Sequence, residues 1–271
     1  MEYLGRDDAP FSDEIWEEID EKVVSVAKKV LTARRFIPFT GPVGADIQFV
    51  KIDKRGRTEE FEEEAGFVKT TNRQVVEIPQ LYSDFWLYWR DIGTAARAQA
   101  PVDLSAAAYA AQKLAQIEDK MVYYGIPELG IDGLLTVKGS QTVKRSDWTK
   151  GEGAFTDVAT AVTKLEQKNY ISSLTLVVSS DLYLQLQRIQ PGTGVLESDR
   201  IKTLVNKIVK VATLKDNTAM LVCAESYCMD LLVGQDITTA YTEAVDLNHH
   251  LRVMETALLR IKAPEAIVLI K

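Results

Sequence analysis

Residues 1–42 read MEYLGRDDAPFSDEIWEEIDEKVVSVAKKVLTARRFIPFTGP, and the interpretation of the whole chain starts from this stretch. Ser12 and the acidic residues after it favour a helix start, because they suit the free N–H groups and the positive end of the helix dipole. Phe11 is placed to pack on Trp16 as a hydrophobic staple. Apolar residues then recur at helical spacing to about Ala33: Trp16, Ile19, Val23, Val26, Val30 and Leu31. The stretch predicts an amphipathic helix that needs a partner surface.

Further elements follow in a mixed order that predicts an α+β fold. Residues 47–76 have an extended pattern interrupted by a charged run at 53–64, which predicts a long hairpin arm with a solvated tip; a disordered acidic loop is the alternative. Residues 103–124 predict a long helix that ends at Gly125. An inserted α/β or α+β lobe is expected next, with helices at 157–167, 181–189 and 199–209 and a strand at 174–178. Strands complete the chain.

The amino-acid composition of the chain excludes several classes of protein. The chain has 271 residues, of which 46% are hydrophobic and 26% charged, so it can bury a substantial core. No apolar run approaches the roughly 20 residues of a membrane span, and the N-terminus lacks a signal-peptide pattern, which predicts a cytoplasmic protein without a membrane partner. A net charge of -7 disfavours a general nucleic-acid binder.

The residues capable of chemistry do not form a catalytic or metal-binding pattern. Cys223 and Cys228 have no second pair to complete a zinc site, so they are expected to be buried thiols. His249 and His250 are neighbours that would point to opposite faces of a strand, which favours structural roles.

Other enzyme signatures are also missing from the sequence. Glu118 and Asp119 are adjacent on a helix and cannot face each other, so we expect solvated side chains and no acid–base pair. Nucleophile elbow, phosphate loop and zinc-protease motifs do not occur in the sequence. We therefore predict that the protein is not an enzyme and has no metal site.

An aromatic stretch lies at Tyr82, Phe85, Trp86, Tyr88 and Trp89. Core or subunit-interface packing is the main expectation, because aromatic side chains bury large areas. A stacking platform for a planar ligand is the alternative.

Spaced blocks along the chain resemble one known family. They are Met1-Glu2-Tyr3-Leu4-Gly5-Arg6, Arg34-Arg35-Phe36, Gly41-Pro42, Gly234-Gln235-Asp236 and Pro264-Glu265-Ala266-Ile267-Val268-Leu269-Ile270. In order and spacing these blocks are similar to encapsulins, the shell proteins of nanocompartments with the HK97 phage capsid-like fold. The resemblance implies a peripheral domain, an axial domain and an extended loop. The implied division is 1–46 for the N-terminal helix, 47–78 for the extended loop, 79–130 for the peripheral domain, 131–225 for the axial domain and 226–271 for C-terminal peripheral strands.

The same resemblance implies self-assembly into a closed icosahedral shell of roughly 60 copies or more. Such a shell encloses cargo enzymes of iron storage or redox chemistry, such as a ferritin-like protein or a peroxidase, through a C-terminal targeting peptide. Pores admit ions and small molecules. The alternatives are a major capsid protein of a tailed phage or prophage that packages DNA and, disfavoured, a hydrolase or protease.

Residue positions are implied for each of these roles. Cargo-peptide binding falls on Val26, Val30, Arg34, Ile37, Ile267 and Leu269. The five-fold pore falls on Gln190, Pro191, Gly192, Thr193, Gly194 and Val195. No cofactor is required, and a flavin, if one binds, would stack on Trp86 or Trp89.

Overall fold

The computed structural model describes residues 2–52, 59–62, 68–71, 74–190 and 194–271, with the backbone alone at 59–62 and 68–71. Its helices are α1 (Asp13–Val30), α2 (Trp89–Ala98), α3 (Ser105–Tyr124), α4 (Gly153–Glu166), α5 (Ser180–Gln185) and α6 (Glu197–Ile201). Its strands are β1 (Phe39–Thr40), β2 (Phe49–Ile52), β3 (Glu59–Glu62), β4 (Val68–Thr71), β5 (Gln74–Glu77), β6 (Gln80–Leu87), β7 (Gly125–Ile126), β8 (Ile131–Asp132), β9 (Gln141–Val143), β10 (Leu174–Ser179), β11 (Lys207–Val211), β12 (Ala219–Cys223), β13 (Met229–Val233), β14 (Thr238–Val245), β15 (Asn248–Ile261) and β16 (Ile267–Ile270). Short 3₁₀ turns lie at Glu2–Leu4, Arg6–Asp8, Ala33–Arg35, Pro127–Leu129 and Pro264–Ala266.

The first sheet is organised around the long strand β15. β6 pairs antiparallel with its first part, and β14 and β13 pair antiparallel with successive halves. Between β13 and β14, Gly234 N–H donates to Thr256 O and Thr256 N–H donates to Gln235 O, so the pairing continues across the break at 234–237. β1 adds in parallel to β13 at the edge.

Two helices stack on this sheet. α3 packs on β6 and β15, and α1 packs on α3. The alternation along β6 explains the contact: Leu81, Ser83, Phe85 and Leu87 are buried, whereas the residues between them are exposed. α3 is lined by small residues, and Ala107, Ala110, Ala111 and Ala115 are all at most 1% exposed, which allows close approach of its neighbours.

The second sheet has the order β11-β10-β12-β16-β9. β10, β12 and β16 are buried at every position, as expected for central strands. One face joins the core that contains α3, whereas the other packs against α4 and α5.

Two features of this lobe differ from the sequence predictions. Residues 199–209 are not one helix: α6 ends at Ile201 and β11 begins at Lys207, where the alternating order KIVKV suits a strand. The last strand, β16, pairs with β12 and β9, so the chain returns to the sheet built from 131–225 and does not join the first sheet. Its uniformly apolar sequence fits that doubly buried position.

The described parts of 47–78 pair as nested antiparallel strands, β2 with β5 and β3 with β4. Val50, Ile52 and Val76 lie on one face of the β2–β5 pair and pack toward Leu258. The remaining residues of the predicted arm, 53–58, 63–67 and 72–73, lie outside the described residues.

Candidate functional site

The first helix, α1, uses one face for the core. Trp16, Ile19, Val23 and Ala27 are between 0 and 7% exposed and pack toward α3. The ring of Phe11 lies 5.5 Å from that of Trp16 in an edge-to-face arrangement, so the predicted staple is confirmed. The side of α1 next to this buried face borders an open groove.

This groove, called here the α1 groove, has a volume of about 310 Å³. It is lined by Val24, Ala27, Lys28, Leu31, Arg34, Arg35, Asp236 and Ile237. The last two residues lie in the break between β13 and β14, which places them opposite the C-terminal turns of the helix. Apolar side chains form the floor and charged side chains form the rim, as in sites that bind an apolar peptide segment.

Arg34 is held at the rim by three carboxylates. Its Nε donates to both oxygens of Glu118, at 3.0 and 2.8 Å, and its Nη1 donates to Asp236 Oδ1 at 2.7 Å. Its Nη2 donates to Glu255 Oε2 at 2.5 Å. Glu118 comes from α3 and Glu255 from β15, so the guanidinium joins the helix layer to the first sheet.

Two of the acids around Arg34, Glu118 and Glu255, are fully buried, and this shifts their proton affinities. Burial raises the pKa of Glu118, and the charge of Arg34 offsets the shift only in part. Burial and the neighbouring Glu118 charge raise the pKa of Glu255 well above its ordinary value. Burial would by itself lower the pKa of Arg34, but the charge and the hydrogen bond of Glu118 raise it, so Arg34 stays a cation.

Asp119 fixes the chain where α1 ends. Its carboxylate accepts hydrogen bonds from Thr32 N–H, Thr32 Oγ1 and Ala33 N–H. Burial raises the pKa of Asp119, whereas the bonds from Thr32 oppose the shift. The expectation that Glu118 and Asp119 are solvated is therefore wrong. α3 lies between α1 and the first sheet, so both acids meet buried partners instead of water.

Of the six residues predicted for cargo-peptide binding, Arg34 alone lines the α1 groove. Val26 and Val30 are half-buried against the core, and Val26 lies about 200° around the helix from Val24. Ile37, Ile267 and Leu269 are between 0 and 4% exposed, so the structure does not bring them to the groove. Val24 and Leu31 line the groove but were not among the predicted residues, although their seven-residue separation marks a second apolar line on the helix.

The predicted pore loop is described only at its flanks. Pro191, Gly192 and Thr193 lie outside the described residues. Gln190 N–H donates to Val195 O at 2.9 Å, and Ile189 forms an isolated bridge with Leu196, so the two flanks lie side by side. Gly194 has φ +70°, a conformation that glycine adopts without strain.

Within β6, the residues of the aromatic stretch alternate between the buried face and the solvent face of the strand. Phe85 is buried, whereas Trp86 and Tyr82 lie on the solvent face of β6. The Trp86 ring lies 4.5 Å from that of His250, tilted by 43°, and the Tyr82 ring is covered by the Arg252 guanidinium at 3.9 Å. Trp89 begins α2 and is 46% exposed. The two tryptophans proposed for a flavin thus lie on different elements, and one face of Trp86 is already partly covered.

The cysteines are buried thiols, as predicted, and the two histidines point to opposite faces of their strand. Cys223 and Cys228 are both free and buried. His249 contacts Phe11, whereas His250 contacts Trp86 on the other face of β15. Among the described residues no group of three or more His, Cys, Asp or Glu side chains is arranged to hold a metal ion. Within the same residues, no helix combines the length and the apolar character of a membrane span.

Comparisons with known proteins agree with this architecture. A family model described as "Encapsulating protein for peroxidase" matches residues 1–258. The "Type 1 encapsulin shell protein EncA" of Myxococcus xanthus is 38% identical, over 98% of this chain and 95% of its own. A "Diheme-cytochrome-encapsulin shell fusion protein" of Kuenenia stuttgartiensis is 36% identical, over 94% of this chain and 72% of its own.

Solved structures show the same fold at lower identity. The virus-like particle from Pyrococcus furiosus superposes with a TM-score of 0.76 at 22% identity, over 94% of this chain and 99% of that one. The capsid of Myoviridae phage XM1 gives a TM-score of 0.65 at 12% identity, over 89% of this chain and 91% of that one.

Proposed function

The chain belongs to the encapsulin shell protein family, and on that basis we propose that it assembles with copies of itself into a closed icosahedral shell that encloses a cargo enzyme. The α1 groove is the observation that carries the cargo part of the proposal. The shell has roughly 60 copies or more, in keeping with closed point-group symmetry. The cargo class is iron-storage or redox chemistry, such as a ferritin-like protein or a peroxidase, and the compartment lies in the cytoplasm.

The arm supports self-assembly. An isolated two-stranded hairpin is marginally stable in water, so β2 and β5 need to pack against further structure. One face packs on the body of the same chain, but the other exposes Phe49 and Val75 at 58 and 59%. A neighbouring copy would cover these two side chains, which closes the shell through heterologous contacts.

Electron microscopy of the recombinant chain expressed alone tests assembly, with absorbance at 260 nm on the same sample. Uniform hollow particles without nucleic acid are the expected result. Particles that contain DNA, or that form only with a scaffold, would support the phage capsid alternative, which shares the fold. The net charge of -7 disfavours DNA packaging.

The α1 groove suits the C-terminal targeting peptide of a cargo protein. An extended peptide with alternating apolar residues would place them on Ala27, Leu31 and Ile237. Arg34 is already hydrogen-bonded to three acidic side chains, so it acts as a fixed wall of the groove. The exposed side chains of Lys28 and Arg35 remain available at the rim for polar groups of the peptide.

A pair of variants on the same helix tests this assignment. Val24→Asp places a charge in the groove, whereas Val26→Asp makes the same change on the opposite flank. Each variant is co-expressed with a reporter protein carrying the C-terminal peptide of a candidate cargo, and assembly is checked by microscopy. Empty shells for Val24→Asp and loaded shells for Val26→Asp are expected. Loaded shells for Val24→Asp and empty shells for Val26→Asp would support the binding residues predicted from the sequence. Full loading of both variants would refute the assignment of cargo binding to the α1 groove.

The segment from Gln190 to Val195 is proposed to line the five-fold pore. Replacing it with a longer charged loop should change the rate at which small ions enter a loaded shell while assembly is preserved. An unchanged rate would refute the assignment.

A flavin on Trp86 is the remaining proposal from family resemblance. The exposed ring face offers a stacking surface for a planar ring, and Arg252 provides a cation nearby on the same face of the sheet. The absorbance of purified shells in the flavin band, compared between the wild type and Trp86→Ala, tests whether a flavin binds at Trp86. A flavin signal that persists in the variant would exclude Trp86 as its site.

A further inference from the structure

Cys223 and Cys228 lie side by side where the two sheets meet. Cys223 is the last residue of β12 in the second sheet, and Cys228 directly precedes β13 in the first. Their Sγ atoms are 3.8 Å apart, and both side chains are fully buried. This distance is van der Waals contact between two sulfurs, whereas a disulfide bond is roughly 2.0 Å long, so oxidation must draw the two sulfurs closer together.

Each cysteine is held in place by a different part of the fold. Cys223 pairs with Leu174 of β10. The carbonyl oxygen of Cys228 accepts hydrogen bonds from the N–H groups of Lys262 and Ala263, at 2.9 and 3.0 Å. The chain between them is a short turn in which Cys228 N–H donates to Glu225 O at 2.8 Å. The contact between the two sulfurs is therefore fixed by the fold on both sides.

The two thiols are chemically unequal. The thiol of Cys228 donates a hydrogen bond to Cys223 Sγ, and this bond is the main reason that the pKa of Cys223 falls to about 7. The same bond raises the pKa of Cys228. Cys223 is therefore the better nucleophile, because the thiolate is the reactive form. Tyr227, which interacts with the Cys223 thiol, is 48% exposed, so the pair lies directly beneath the surface.

We propose that Cys223 and Cys228 form a reversible dithiol–disulfide couple that is oxidised by peroxide, with Cys223 as the attacking thiol and Cys228 as the resolving thiol. The inference concerns the shell protein itself and is independent of the α1 groove and its cargo.

The chemistry balances in two steps. The Cys223 thiolate attacks one oxygen of hydrogen peroxide, which breaks the O–O bond, gives a sulfenic acid and releases hydroxide. The Cys228 sulfur then attacks the Cys223 sulfur and displaces the second oxygen, which leaves as water with the Cys228 proton. Two thiols are oxidised to one disulfide, and one peroxide is reduced to two waters. An external thiol reductant reverses the reaction by exchange.

Mass spectrometry of the assembled wild-type particle tests the proposal. Particles are treated with hydrogen peroxide, quenched in acid, denatured and alkylated. The expected product is a chain that has lost two hydrogen atoms and takes up no alkylating groups, and that regains both after reduction. Two alkylatable thiols after treatment, a disulfide between chains, or conversion to sulfinic acid without the internal disulfide would each overturn it.

Single variants test the order of attack without depending on the disulfide. In Cys228→Ser the sulfenic acid on Cys223 cannot be resolved, so dimedone should label Cys223. In Cys223→Ser dimedone should leave Cys228 unlabelled under the same peroxide exposure. Serine differs from cysteine by one atom and keeps the turn intact, and microscopy confirms that the particles assemble. Equal labelling of both variants, or labelling of Cys228 alone, would refute the assigned roles.

Discussion

Replacing Glu255 by Gln is expected to remove a large part of the pH dependence of stability. Glu255 is fully buried, and the cation that it contacts, Arg34, is also bound by Glu118 and Asp236. One guanidinium thus faces three carboxyl groups. Burial, together with the charge of Glu118, raises the pKa of Glu255 well above its ordinary value. Glutamine resembles the protonated acid in shape and hydrogen bonding, but it cannot titrate.

The sign and the size of the effect follow from proton linkage. Above the ordinary carboxyl pKa of 4.5, the unfolded chain has released a proton that folded Glu255 still holds. Stability from this group is present at low pH and is lost as pH rises toward the raised pKa of the folded state. One proton per chain corresponds to a slope of up to about 1.4 kcal/mol per pH unit within that window. The variant should lack this slope, so its stability relative to the wild type improves as pH rises.

Urea unfolding of both proteins between a pH of about 5 and about 8 measures the difference. The exposed Glu166 provides a matched control, because Glu166→Gln makes the same chemical change at the surface of α4. The difference between Glu255→Gln and the wild type should change steadily with pH, whereas that for Glu166→Gln should stay flat. A constant difference for Glu255→Gln would show that Glu255 is ionised in the folded protein and would refute the reasoning.

Three further substitutions test the packing that supports these sites. Leu114→Ala should lower the free energy of unfolding by about 2–5 kcal/mol, because Leu114 is fully buried on α3 and leaves a cavity; calorimetry would measure the fall. Asp157→Ala should cost about 2–3 kcal/mol in urea unfolding, since one oxygen of Asp157 accepts three hydrogen bonds, one of them from the Trp148 indole at 2.8 Å. Gly125→Ala should reduce the yield of assembled particles seen by microscopy, because φ is +77° and a methyl group would meet the Ile131 carbonyl. Wild-type behaviour in any of these assays would contradict the packing described.

The long helices could be predicted because the spacing of their apolar residues and the residues that favour helix ends indicate the same segments. The prediction for 103–124 matches α3, which begins at Ser105 and ends where Gly125 takes up the chain. α1 was found from its apolar stripe, although it ends at Val30 and not near Ala33. Asp119 accounts for that difference, because its carboxylate takes the N–H groups of Thr32 and Ala33 in a 3₁₀ turn. A partner distant in sequence therefore sets the end of this helix.

The predictions that failed depend on contacts that local patterns do not encode. Glu118 and Asp119 look like surface acids on a helix, and their burial follows from layers above and below α3. The expected helix at 199–209 gave way to β11 because β10 offers a parallel partner for Lys207–Val211. The family resemblance identified the shell and its fold, whereas the residues of the α1 groove required the position of Asp236 and Ile237 opposite α1.

Arg34 and its neighbours Glu118 and Asp119 explain how the α1 groove can be open to solvent and still have a rigid wall. Glu118 and Asp119 are consecutive on α3: the first holds the Arg34 side chain, and the second holds the backbone at Thr32 and Ala33. The wall of the groove is therefore fixed by the buried helix before any ligand binds. A preformed wall loses little conformational entropy on binding, so more of the apolar contact energy appears as affinity. By the same argument, Arg34→Ala would leave the buried Glu118 carboxylate without its cation and should lower the stability of the shell together with the cargo loading proposed for the groove.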